Sequence, residues 1–124
     1  MIRNKREIND IKQNLLDLLK EENAFWSYNN DSVNLETIKD NQLIALTLRH
    51  LDLSEIKQLF LIFSQKTIKK AWIELLVPEG DYLYTLNRFF AWYYFKAKRP
   101  DSYLKSLQTR HFNRITGAGG GLRR

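Results

Sequence analysis

Residues 52–80 read DLSEIKQLFLIFSQKTIKKAWIELLVPEG, and this stretch decides the fold class. Asp52 and Glu55 stand three apart just before an apolar run, the spacing of a capping box that opens a helix. Ile56, Leu59, Phe60 and Phe63 then recur at helical steps and predict a helix over about 53–63. Ser64 is placed to cap a second helix, about 65–77. Its inward stripe would be Ile68, Trp72, Leu75 and Leu76, with Lys66, Lys69, Lys70 and Glu74 outward. Pro78-Glu79-Gly80 stops it, because proline lacks the amide donor and glycine accepts positive φ.

The same period extends in both directions. Upstream, Ile8, Ile11, Leu15, Leu18 and Leu19 predict a helix over 5–22, and Leu43, Ile44, Leu48 and Leu51 one over 41–51 capped by Asp40. Asn29-Asn30-Asp31-Ser32 between them is turn chemistry. Downstream, Asp81 is placed to cap a helix over 82–96, and Pro100-Asp101 to open one over about 101–114, with Tyr103, Leu104, Leu107 and His111 or Phe112 on one side. No useful strand-like alternation interrupts the series. The expectation is an all-α protein: a single compact domain of about five to six helices, orthogonal or bundle-like, over residues 1–115. Residues 116–124 hold four of the five glycines and read as a flexible basic tail.

At 124 residues the chain is long enough to bury a core without disulfides or metal. It has no cysteine and two histidines, which removes thiol chemistry and disfavours an imidazole-built metal site. No cofactor is expected. No run approaches the roughly 18 apolar residues of a bilayer span, and the basic N-terminus leads into an amphipathic segment, so a cytoplasmic location is the default. Arg49-His50 and Arg110-His111 are adjacent pairs, not the Arg–spacer–His pattern of small helical ribonucleases. Asp10, Asp17, Glu21 and Glu55 read as solvating or capping acids. These features point away from an enzyme and offer no evident small-molecule substrate.

Binding has two sources in the sequence. The net charge of +6 divides into −2 over residues 1–61 and +8 over 62–124, so one half can attract phosphate backbones or an acidic protein. Within it, the helices either side of Ser64 have helix-turn-helix proportions, and Gln65, Lys66, Thr67, Lys69 and Lys70 are candidate nucleic-acid contacts. The same lysines also suit a plain solvated helix face. The second source is the aromatic content of 13%, dense at 25–28 and 82–95. Phe25, Trp26, Tyr28, Trp92 and Tyr93 are candidate contacts to a protein partner or a second copy, because aromatic anchors bury much area at low entropic cost. Those rings could instead fill the core.

The pattern Asp52-Leu53, Ile56, Leu59-Phe60, Ile68-Lys69-Lys70, Trp72, Pro78, Tyr82, Tyr84, Leu86-Asn87, Phe89-Phe90 and Phe95 resembles small bacterial helical proteins that are antitoxin-like partners of nucleotidyltransferase-type toxins. The resemblance covers residues 40–108 and carries no functional residue across. It implies a non-enzymatic protein that docks to a toxin and can bind its own promoter. The leading expectation is therefore a protein-interaction domain of antitoxin-like or accessory type. The alternative is a helix-turn-helix-like DNA-binding protein using the basic helix at 65–77.

Overall fold

A computed structural model describes residues 3–22, 24, 25 and 33–116, with side chains as far as 110. The chain is all-α. Among the described residues it forms six α-helices and one 3-10 segment, in the order α1 (Lys5–Glu21), α2 (Asp40–His50), α3 (Leu53–Ile62), α4 (Gln65–Leu75), 3-10 (Val77–Leu83), α5 (Tyr84–Tyr93) and α6 (Pro100–Thr116). None of the helices is long and apolar enough to cross a membrane. Contacts gather in two units, Met1–Trp72 and Ile73–Arg124.

In the first unit α1 packs on α2 and α3, and α2 on α3. Asn4 caps α1 by accepting from the Arg6 and Glu7 amides at 2.9 and 3.3 Å. Leu15, Leu16 and Leu19 of α1, Leu43, Ile44 and Leu48 of α2, and Ile56 and Leu59 of α3 form the interior. Ile8, Ile11 and Leu18 are only partly covered, so the buried stripe of α1 is confined to its second half. The capping box that opens α3 is present, with the Asp52 amide donating to Glu55 Oε1 at 3.1 Å. Ser64 Oγ accepts from the Thr67 amide at 3.2 Å and caps α4 as expected. At α2 the expectation is corrected: Asp40 is the first helical residue, and Lys39 is the cap, its amide donating to Gln42 Oε1 at 3.1 Å. The Asp40 carboxylate instead accepts from Lys12 Nζ at 3.1 Å. Thr47, buried on α2, has a hydroxyl with no hydrogen-bond partner among the described residues.

In the second unit the 3-10 segment, α5 and α6 pack pairwise. The predicted helix over 82–96 is shorter at both ends. Pro78 and Gly80 fall inside a tight 3-10 segment, where Gly80 takes φ 60° and ψ −128° and turns the chain. Asp81 lies within that segment and caps nothing, so α5 starts only at Tyr84. It ends at Tyr93 because Lys96 adopts a left-handed φ of 57°. α5 turns Asn87, Phe90 and Ala91 inward. Asn87 is buried, and its Nδ2 donates to the Leu76 carbonyl at 3.0 Å, which meets the requirement that an interior amide be bonded. Asp101 in the first turn of α6 accepts from Arg88 Nε at 2.9 Å and from the Tyr84 hydroxyl. The Tyr84 hydrogen bond, reinforced by Arg88, holds the Asp101 carboxyl below its usual range; the same bond raises the Tyr84 hydroxyl.

Candidate functional site

A ten-residue helix that buries Asn87, Phe90 and Ala91 has room for one large ring inside, so its other aromatics must face outward. Trp92 is 57% exposed and Tyr93 44%, and Tyr82, just ahead of α5, is 74% exposed. Phe89 sits half-buried one turn before Tyr93, and the two rings stack with centroids 5.2 Å apart and planes 12° apart. Trp92 leans on both, at 6.2 Å from Phe89 and 6.0 Å from Tyr93. Tyr94 meets Tyr93 edge-on at 4.9 Å. These contacts fix the rings against one another while leaving Trp92 and Tyr93 substantially exposed, which lowers the entropy cost of binding against them. An open, mainly apolar hollow lined by Asp81, Tyr82, Leu83, Thr85, Leu86 and Phe89 continues this surface toward the start of α5.

The chain leaves this face through a cationic exit. Lys96 occupies a backbone region that an L-residue enters at a cost of about 1–2 kcal/mol and that glycine enters freely. From there its Nζ lies 5.6 Å from the Tyr93 centroid, within cation–π range. The Ala97 amide returns to the Ala91 carbonyl at 2.8 Å and holds the exit against α5. Lys98 and Arg99 follow, both exposed.

The candidate nucleic-acid contacts occupy the start of α4. Gln65, Lys66, Thr67 and Lys70 are exposed and Lys69 is half-buried. Lys66 and Lys70 are four apart and share a face. The Thr67 hydroxyl lies 2.9 Å from Ser64 Oγ, so it is engaged at the helix start. Leu75, expected inward, is exposed in the last turn of α4.

Of the candidate partner contacts, Trp92 and Tyr93 come together on one surface, whereas Phe25 is buried, with 4% of it exposed. Trp26 and Tyr28 lie outside the described residues, as do residues 117–124 of the tail and the side chains of His111 and Phe112. Tyr82, Phe89 and Lys96 belong to the surface but were not marked by spacing. The signal that could have found Lys96 is the stretch 82–100, which is rich in rings and holds four cations and no acid.

His50 is exposed at the end of α2, its imidazole pushed below its usual range first by partial burial and then by Arg49, with Glu22 opposing. Among the described residues no group of three or more His, Asp or Glu side chains is arranged to hold a metal ion. No family model, no curated protein and no solved structure matches the chain.

Proposed function

We propose that this protein is a cytoplasmic, non-enzymatic interaction domain that docks to a protein partner through the outward face of α5, in the antitoxin-like or accessory manner that the sequence resemblance implies. One observation supports this most: Trp92 and Tyr93 are both more than 40% exposed, 6.0 Å apart and both packed against Phe89, with Tyr82 more exposed still just ahead of the helix. Large exposed rings gathered in one place are the usual composition of an interface centre. A second reading, duplex DNA binding, draws support from the exposed Gln65, Lys66, Thr67 and Lys70 at the start of α4.

A photo-crosslinking amino acid placed at position 92, and separately at position 70, in cells that make the protein separates the two. Docking predicts one protein joined at position 92, which binds the purified chain and loses affinity on Trp92→Ser. DNA attached at position 70, with duplex binding that weakens steeply with salt and on Lys66→Glu/Lys70→Glu, would replace docking by the second reading. If neither position captures a macromolecule, both readings fall.

A further inference from the structure

The surface that docks a partner also specifies the partner's charge. From Tyr82 to Pro100 the chain carries Arg88, Lys96, Lys98 and Arg99 and not one Asp or Glu. Of the two acids that flank this stretch, Asp101 is occupied by Arg88 and Tyr84, and Asp81 lies beside Tyr82 at the start of the face, away from Lys96, Lys98 and Arg99 in the chain. Lys98 and Arg99 are exposed immediately after the aromatic helix, and Lys96 stands against Tyr93. Lys96 holds the left-handed position that closes α5, and from there its ammonium stands over the Tyr93 ring. We infer that the α5 face takes an acidic amphipathic protein segment, with its apolar side chains on Tyr82, Trp92 and Tyr93 and its carboxylates on Lys96, Lys98 and Arg99. This rests on the docking reading and adds the chemistry of the occupant.

Two other occupants fit less well. A second copy would bring like charge against like, since residues 73–124 carry nine Lys or Arg and four Asp or Glu. Single-stranded nucleic acid would also meet the cations, but it binds by laying bases on open ring faces. Here the Tyr93 and Phe89 faces are stacked on each other and Lys96 stands over Tyr93.

The test uses the full chain and three fluorescent probes: a synthetic amphipathic Leu/Phe/Glu peptide, its Leu/Phe/Lys counterpart, and an oligothymidylate of similar length. Anisotropy should show binding of the Glu peptide, weakened about tenfold by Lys98→Glu/Arg99→Glu and by raising salt from about 50 to 300 mM. Both substituted residues are exposed, and unchanged helical circular dichroism confirms the fold. Trp92→Ser should also abolish binding. Equal or tighter binding of the Lys peptide, a charge-reversed variant that binds the Glu peptide as well as the parent, or preference for the oligonucleotide would overturn the acidic partner. If in those cases Trp92→Ser still abolishes peptide binding, the docking reading survives alone. If no peptide binds, or Trp92→Ser changes nothing, both fall. Concentration-dependent self-association lost on Trp92→Ser, in sedimentation without any probe, would assign the face to a second copy instead and also overturn the inference.

Discussion

α4 and α5 are nearly equal in length, eleven and ten residues, and they distribute their chemistry in opposite ways. α4 buries its largest side chain, Trp72, with Ile68 and Ala71, and presents Lys66 and Lys70 outward. α5 is the more apolar in composition, yet it buries one ring, one alanine and one asparagine, and leaves Trp92 and Tyr93 outside. Total hydrophobicity therefore does not rank the two helices by burial. What ranks them is whether apolar residues keep to one 3.6-residue stripe, as in α4, or run consecutively around the helix, as at 89–93.

The sharpest way to break this contrast is to truncate the two tryptophans. Trp72→Ala should cost about 3–5 kcal/mol, through lost burial and the cavity left behind. Trp92→Ala should stay within about 0.5–1 kcal/mol, since its ring is largely solvated already. Chemical denaturation of both variants reads the difference directly; equal losses would mean that the α5 face is covered in the free protein.

Next in size is Asn87. Removing its amide by Asn87→Ala takes a buried donor from the Leu76 carbonyl, which retains only the Glu79 amide among its described partners. A loss of about 1–2 kcal/mol is expected in thermal unfolding. An unchanged midpoint would show that α5 does not need its one polar inward residue.

A smaller effect of opposite sign is expected at the exit of α5. Lys96→Gly relieves the left-handed strain but loosens the unfolded chain, for a net gain of about 0.5 kcal/mol. The same change should weaken binding of the acidic peptide, while Lys96→Ala weakens binding without the gain. A urea midpoint that falls for Lys96→Gly would mean that the lysine's contact with Tyr93 outweighs its backbone cost.

The smallest effect concerns pH. Asp101 ionises below its ordinary 3.8 in the folded chain, so its contribution is present above 3.8 and is lost as pH falls through the lower folded value. Tyr84 is raised above 10.0, so its contribution is present below 10.0 and is lost as pH rises through the higher folded value. Unfolding midpoints of the parent and of Asp101→Asn should therefore diverge least at the two extremes and hold a steady gap between them. A gap that does not narrow toward acid would remove Asp101 as the anchor between α5 and α6.

Much of the all-α fold could be read from the sequence because its helix starts are written locally. Asp52 with Glu55, and Ser64 ahead of Thr67, act through bonds spanning three residues, which spacing alone reveals. The start of α5 was less legible, because Pro78-Glu79-Gly80-Asp81 satisfies a helix stop and a helix cap as readily as the two short 3-10 turns, kinked at Gly80, that form. The inward Asn87 was invisible for a different reason. Its partner is a main-chain carbonyl eleven residues away, and no hydropathy pattern records a carbonyl. The outward aromatic face follows from that choice, so the part of the candidate site formed by Trp92 and Tyr93 was expected by composition, while Phe89 and Lys96 needed the tertiary structure.

The turn at Gly80 bears on which sequences can replace this one. A side chain built there would meet no atom within 4 Å, so bulk is irrelevant at that position and torsion decides. Substitutes should rank by how readily their own backbone tolerates positive φ, with asparagine ahead of alanine and valine last, although valine is close to asparagine in size. The position is thus an unusual filter on variation, blind to volume and sensitive to handedness.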